Sequence, residues 1–241
     1  MSYGTGGYAN YIVVPDPPTR RFILGLDLGQ ARDATGIVVV ERVAGDGGAR
    51  YDVPSIQRVR LGTSYPAIVD HVRAMIGHLL RMRPEVNLSL VVDGTGVGRP
   101  VVDLFTAADL GCPVIPVSIH GGSAVGRDGI WLNAPKRDLV GTIRVLLEGQ
   151  RLRIAEADPL ASALTGELTN FRVTISRSGH DSYGAGNGIG SDDWRDGGKH
   201  DDLVLALALA AWYGETQSGG GWAPLPPDIA LWMREGGIVS I

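Results

Sequence analysis

Three aspartates each stand at the end of a strongly apolar segment, and this arrangement constrains the fold more than any other feature of the sequence. Asp27 ends ILGLD, Asp93 ends LSLVVD, and Asp202 begins DLVLALALAAW. An isolated carboxylate is costly to bury, and carboxylates that are brought close together repel one another. A fold that gathers these three acids therefore needs positive charge among them, and a divalent metal ion is the simplest candidate.

The apolar patterns in the first half of the chain predict an α/β fold built on a mixed sheet. Three extended segments joined by turn-forming residues, at 22–28, 36–42 and 51–61, indicate an antiparallel meander. Apolar residues at helical spacing over 64–83 predict a helix, and a strand at 88–92 follows it. A right-handed crossover through that helix would return this strand to the same sheet. We therefore expect antiparallel first three strands, parallel strands after them, and helices on the faces.

The second half of the chain is predicted to alternate helices and strands and to end in one buried helix. The predicted elements are a helix at 101–108, a strand at 113–117, a helix at 134–148, a strand at 152–154, a helix at 159–170, a strand at 171–176, a long glycine-rich loop at 179–198 and a helix at 201–213. The last helix is apolar around most of its circumference and is therefore expected to be buried.

Composition divides the chain and excludes several classes of protein. Residues 1–20 are expected to be an irregular segment, 21–215 one domain, and 216–241 a Gly/Pro-rich tail. The single cysteine excludes an intrachain disulfide and favours a cytoplasmic location. The longest apolar run is half of the roughly 20 residues that a spanning helix needs, so no membrane partner is expected. A net charge of −4 argues against coating nucleic acid by bulk charge.

Each acid alone has an ordinary structural explanation, but the set favours metal chemistry. Asp27 or Asp93 could begin a turn, and Asp201 or Asp202 could cap the last helix. Two adjacent acids exceed what one cap requires, and neighbours on a helix point about 100° apart, so one could cap while the other faces the sheet. Carboxylate oxygens favour Mg²⁺ or Mn²⁺, and two such ions can activate water and stabilise the leaving oxygen in phosphodiester hydrolysis.

These stretches resemble the RNase H superfamily, and more narrowly the C-terminal nuclease domain of phage large terminase subunits. The resemblance covers residues 22–215 and rests on LGLDLGQARDATGIVVVE, VVDGTGVGRPVVDLF, PKRDLVGTIRVLLEGQRLRI, ELTNFRV and GKHDDLVLALALAAWYGE. It implies a triad of Asp27, Asp93 and Asp202 that binds two Mg²⁺ or Mn²⁺ ions and cuts DNA during genome packaging. It further implies that Asp201 is an auxiliary acid able to share or replace the role of Asp202, and that Asp33 lies near the metals.

No packaging ATPase motif accompanies these acids. The loop GTGVGRP after Asp93 lacks the GK[ST] of a P-loop and does not fit G-x-G-x-x-G. We therefore expect a cutting module without its ATPase, either an excised domain or a stand-alone relative. The expected substrate is double-stranded DNA in the cytoplasm of a phage-infected or prophage-bearing cell. If the protein is viral, a separate packaging ATPase or a portal is an expected partner.

Basic residues near the predicted site are candidates for binding the DNA backbone. Lys136 and Arg137 begin a predicted helix, where cations and unpaired backbone N–H groups favour phosphate. Lys199 directly precedes the acidic doublet, and Arg127 lies in a glycine-rich loop. A solvated helix face is the simpler explanation of the first pair.

Three other functions remain open on the sequence. A Holliday-junction-resolvase-like nuclease of the same superfamily would use similar acids in a dimer. A non-catalytic, DNA-binding relative would keep the fold without cutting. A sugar-kinase or actin-type ATPase shares a related core, but it would need additional phosphate-binding glycine loops, which this sequence lacks.

Overall fold

The computed structural model describes residues 20–29, 33–84, 86–175, 181–185 and 201–216. Within these ranges the chain forms ten strands and five helices. In chain order they are β1 (Arg20–Asp27), β2 (Thr35–Val43), β3 (Arg50–Val59), α1 (Tyr65–Met82), β4 (Asn87–Asp93), α2 (Arg99–Ala107), β5 (Val114–His120), β6 (Gly126–Asp128), β7 (Trp131–Pro135), α3 (Lys136–Glu148), β8 (Leu152–Ile154), α4 (Ala161–Asn170), β9 (Phe171–Ile175), β10 (Asp181–Ala185) and α5 (Asp202–Thr216). None of these helices is both long enough and apolar enough to cross a membrane.

Eight of the strands form one mixed sheet, in the order β6-β7-β5-β4-β1-β2-β3-β8. β1, β2 and β3 are antiparallel neighbours, and β4 returns parallel to β1 after α1. β5 and β7 extend the sheet in parallel on one side, and β8 lies parallel to β3 on the other. β9 and β10 pair separately as an antiparallel ribbon. The predicted mixed sheet is confirmed, and the short antiparallel edge strand β6 is an addition to it.

The central strands are apolar on both faces because helices cover both sides of the sheet. Successive strand residues point to opposite faces, so Ile23 joins one core while Leu24 joins the other. The core around Ile23 includes residues of α3, α4 and α5. The core around Leu24 includes Ile68 and Val72 of α1 and Phe105 of α2. The result is a three-layer arrangement in which α5 lies directly on the middle strands.

Two glycines allow the backbone of α5 to approach the sheet closely. A Cβ atom at Gly25 in β1 would overlap the carbonyl oxygen of Ala206, and one at Gly36 in β2 would lie 2.5 Å from the carbonyl oxygen of Asp202. Gly36 is also the register partner of Asp27. The close contact therefore brings the start of α5 beside the end of β1, where the first predicted acid lies.

The structure departs from the predicted elements at short strands. The β6–β7 hairpin was not predicted, and the helix expected over 134–148 begins at Lys136 because the two preceding residues belong to β7. β6 and β7 are three and five residues long, too short for a readable period, and neighbouring strands supply their backbone hydrogen bonds. β10 likewise lies inside the segment predicted as a loop, because pairing with β9 orders it.

Candidate active site

Two of the predicted acids lie side by side at the carboxyl ends of β1 and β4. These strands are parallel neighbours, with Leu26 opposite Val92, so Asp27 and Asp93 follow at the same edge of the sheet. Asp93 is buried, and its Oδ1 accepts a hydrogen bond from the backbone N–H of Thr95 at 2.8 Å. This turn contact fixes the orientation of the Asp93 carboxylate.

The carboxylate of Asp27 lies within the electrostatic reach of four other acids. Burial raises its pKa well above the ordinary value, and the charges of Asp93, Asp201, Asp202 and Asp33 raise it further, in that order. The fold thus brings together the three acids of the predicted triad, the auxiliary acid and the exposed Asp33. Such a concentration of negative charge favours either protonation or a bound cation.

Asp201 is the N-cap residue of α5, because its carbonyl oxygen accepts the backbone N–H of Leu205 at 2.9 Å. Its Oδ2 atom is buried and has no hydrogen-bond partner among the described residues. Burial raises the pKa of Asp201, the ammonium of Lys136 opposes that shift, and the charge of Asp202 adds to it. A buried carboxylate oxygen without a donor is unusual in native structures and calls for an explanation.

Asp202 has different surroundings, although it is the next residue. Its carboxylate is almost fully buried and accepts two hydrogen bonds from Arg58 of β3, from Nε to Oδ2 at 2.8 Å and from Nη2 to Oδ1 at 3.2 Å. This bidentate arrangement is the strong form of an arginine–carboxylate pair. Asp202 is therefore charge-compensated from within the protein.

Glu167 of α4 completes this buried ion cluster. Its Oε1 pairs with the guanidinium of Arg58, and its Oε2 accepts the backbone N–H groups of Leu203 and Val204 at 3.1 and 3.2 Å. The pKa of Glu167 is raised to about 7, first by burial and then by the charge of Asp202, although Arg58 opposes the shift. Glu167 thus contacts both Arg58 and the first turn of α5.

Lys136, at the start of α3, supplies positive charge to the acids. Burial lowers its pKa, and the charges of Asp201, Asp93 and Asp27 oppose that shift. The predicted DNA-contacting lysine therefore lies among the acids rather than on an open helix face.

The other predicted basic residues lie farther out or cannot be placed. Arg137 donates from Nη2 to the carbonyl oxygen of Ser123 at 2.9 Å. Arg127 in β6 donates from Nε to the carbonyl oxygen of Gly129 at 2.7 Å. Lys199 lies outside the described residues.

Sequence reasoning missed Arg58 and Glu167. Glu167 falls within ELTNFRV, a stretch that carries the resemblance, but nothing in its local pattern indicates a partner. Arg58 is a polar residue near the end of an ordinary half-buried strand. Their pairing joins β3 to α4 across 109 residues of sequence, and no local signal reports a contact of that range.

The donor chemistry of the acids fits a hard divalent cation, although the side chains do not converge into a preformed centre. Among the described residues, no three His, Cys, Asp or Glu side chains are arranged so that they could hold a metal ion as they stand. Asp27, Asp93 and Asp201 nevertheless offer carboxylate oxygens alone, which suits Mg²⁺ or Mn²⁺. The buried Oδ2 of Asp201, which has no hydrogen-bond partner within the described ranges, is an acceptor that such an ion would satisfy.

No protein-family model matches the sequence, and no curated protein matches it. Among solved structures, the human cytomegalovirus terminase nuclease domain, Mn-soaked and inhibitor-bound, is 14% identical, with 80% of this chain and 83% of that chain covered and a TM-score of 0.50. The P22 large terminase nuclease domain is 11% identical, covers 88% of each chain and has a TM-score of 0.47. RuvC of T. thermophilus, bound to a Holliday junction, is 13% identical, with 82% of this chain and 96% of that chain covered and a TM-score of 0.37.

The mixed sheet, its strand order and the helices on its two faces define an RNase H-like α/β fold. Within that class the fold is the one found in terminase nuclease domains, as the cytomegalovirus alignment shows. At 14% identity this likeness concerns the fold.

Proposed function

We propose that the protein is a metal-dependent DNA endonuclease that hydrolyses phosphodiester bonds with two divalent ions. The observation that carries the proposal is geometric: β1 and β4 bring Asp27 and Asp93 to the same edge of the sheet, and the start of α5 lies beside that edge. The charges of four acids there raise the pKa of Asp27. The fold shared with a terminase nuclease domain that was soaked with Mn supports the same chemistry.

Asp27, Asp93 and Asp201 would hold the ions. Bound Mg²⁺ or Mn²⁺ would supply Lewis-acid stabilisation of the cleaved phosphate and a water molecule activated for attack. Of the acidic doublet, the resemblance favours Asp202, whereas the contacts favour Asp201, because Arg58 already compensates Asp202. Asp33, exposed at the rim, would act on the site through its charge.

Lys136 would bind a non-bridging oxygen of the DNA backbone once cations neutralise the acids that now surround it. Arg137 and Arg127 would contact phosphates farther along the duplex, together with Lys199. The proposed substrate is double-stranded DNA, and the proposed setting is the cytoplasm of a phage-infected or prophage-bearing cell. A packaging ATPase or portal on another chain belongs to the same proposal.

The test is cleavage of supercoiled plasmid with Mg²⁺ or Mn²⁺ by the wild type and by Asp27→Asn. We expect the variant to cut at least about a hundredfold more slowly, because loss of a ligand removes several kcal/mol of transition-state stabilisation. Asp103→Asn, on the exposed side of α2, is the matched control and should cut normally.

Three outcomes would count against the proposal. Undiminished cutting by Asp27→Asn would remove Asp27 from the site. A strong preference for four-way junctions, shown by a dimer, would favour the resolvase-like alternative. Absence of both cutting and divalent-ion binding by the wild type would favour a non-catalytic, DNA-binding relative.

A further inference from the structure

We infer that Glu167 caps α5 in place of Asp201, and that this capping by Glu167 leaves the Asp201 carboxylate available to the metal ions. Arg58 holds Asp202 in the same assembly, so that the doublet is divided between a structural acid and a metal-binding acid. The inference rests on the proposed nuclease function and makes Glu167 and Arg58 positioning residues for it.

The first step of the argument is the cap itself. An N-cap aspartate normally accepts the backbone N–H of the second or third helical residue. In α5 those residues are Leu203 and Val204, and both N–H groups donate to Oε2 of Glu167 instead. The acceptor comes from α4, 36 residues earlier in the chain than Leu203. The cap position of Asp201 is thus filled by another carboxylate.

The second step is what keeps the capping carboxylate in place. Arg58 donates to Oε1 of Glu167 and, through two further hydrogen bonds, to Asp202. One guanidinium therefore binds the capping acid and the first helical residue together. Breaking such a buried pair leaves an uncompensated charge, which resists rearrangement.

The third step is the state in which this leaves Asp201. Its Oδ2 is buried and has no hydrogen-bond partner in the part of the chain that the structure describes, although an aspartate at this position ordinarily accepts the N–H groups of the second and third helical residues. Its charge instead acts on Asp27 and Lys136. The side chain that should cap the helix therefore faces the acidic cluster, and Glu167 is the reason that this orientation is tolerated.

The test compares Glu167→Ala with Glu167→Gln by calorimetric titration with Mn²⁺ in the absence of DNA. Without an acceptor at 167, Asp201 should rotate to cap its own helix, and we expect the Kd for Mn²⁺ to rise about 10- to 100-fold, as for other residues that orient ligands. Glu167→Gln keeps an amide oxygen for the two N–H groups but loses the ion pair with Arg58, so its Kd should rise less than that of Glu167→Ala.

A purely structural role would lower the Tm of Glu167→Ala and leave its Mn²⁺ affinity unchanged below that Tm, and this result would overturn the inference. Equal loss of affinity in both variants would also overturn it, because the amide oxygen of Glu167→Gln would then give no advantage as a cap. If Glu167→Ala does not fold, Asp201→Asn must weaken Mn²⁺ binding more than Asp202→Asn does. The reverse order contradicts the division of the doublet.

A crystal structure of metal-free Glu167→Ala separates this inference from the proposed function. We expect the Asp201 carboxylate to accept the N–H of Leu203 or Val204 in this variant. An Asp201 side chain that has not moved would refute the claim that Glu167 replaces it as the cap of α5. A second outcome is that the side chain moves but the wild type neither binds Mn²⁺ nor cuts DNA. In that case the proposed function and the metal-binding half of the inference both fail. The conclusion that Glu167 caps α5 in place of Asp201 still holds.

Discussion

Asp201 and Asp202 are adjacent in the chain, yet they lie in different electrostatic surroundings. Arg58 compensates Asp202, whereas Asp201 shares the neighbourhood of Asp27 and Lys136. The difference arises because residue 201 precedes the helix and residue 202 is its first residue, so their side chains leave the backbone in different directions. The roles of neighbouring acids therefore depend on the contacts of each side chain rather than on position in a motif.

At the residue scale, Glu167 makes stability depend on pH. Its pKa is about 7 in the folded protein against an ordinary 4.5, so between these values the folded state binds more protons than the unfolded state. Stability therefore falls as the pH rises through this window. We measure the free energy of unfolding by urea denaturation in EDTA between pH 5 and 7. Over this range we expect it to fall less steeply for Glu167→Gln than for the wild type.

Glu148→Gln is the matched control for that measurement, because Glu148 lies exposed on α3 and pairs with Arg144 at the protein surface. Its unfolding free energy should follow the pH dependence of the wild type. A Glu167→Gln variant that declines as steeply as the wild type would show that Glu167 does not titrate in this range.

At the scale of elements, the packing of α5 on β1 depends on the absence of a side chain at Gly25. A methyl group there would overlap the carbonyl oxygen of Ala206, so α5 must move away from the sheet. We expect Gly25→Ala to lower the free energy of unfolding by at least about 1–3 kcal/mol, the usual cost of overpacking a core. Because Asp201 directly precedes α5 and would move with it, Mn²⁺ affinity should fall as well.

Gly141→Ala serves as the control, because we expect it to raise the free energy of unfolding rather than lower it. Gly141 lies within α3, and a Cβ atom there would meet nothing within 4 Å. The change should stabilise the protein by about 1 kcal/mol, because alanine is the better helix former. Denaturant unfolding of both variants measures the two effects. Equal stability of Gly25→Ala and the wild type would mean that the α5–β1 contact is looser than described.

The same elements show what could be predicted from sequence and what could not. β1 to β5 and the helices were predictable because their apolar periods run long enough to read, and the mixed sheet followed from their order. The β6–β7 hairpin was not, because its strands exist through pairing with β5 rather than through local preference. The acids were recognisable at the ends of apolar segments, whereas the Arg58–Glu167 pair depends on tertiary contact alone.

At the scale of the whole molecule, the acidic cluster should cost stability when no metal is bound. Four acids raise the pKa of Asp27, so removing its charge relieves repulsion. We expect metal-free Asp27→Asn to melt above the wild type, by about 2–4 °C for each 1 kcal/mol gained in a domain of this size. Saturating Mn²⁺ should reverse the order.

The reversal follows from linkage between binding and folding. At about 100 times Kd, a ligand that binds the folded state alone stabilises it by about 2.7 kcal/mol. Wild type should gain this increment and Asp27→Asn should not. Thermal melts with EDTA and with Mn²⁺ provide the comparison, with Asp103→Asn expected to behave as the wild type. If metal-free Asp27→Asn melts below the wild type, repulsion among the acids does not destabilise the metal-free protein.

The acids belong to β1, β4 and α5, and α5 is the last described element of the chain. During synthesis Asp27 and Asp93 leave the ribosome long before the doublet, and until α5 follows, the face of the sheet around Ile23 is covered only in part, by α3 and α4. The cluster cannot assemble on any nascent chain shorter than about this whole domain. A site built from these acids would therefore form only after α5 has been synthesised and has packed onto the sheet.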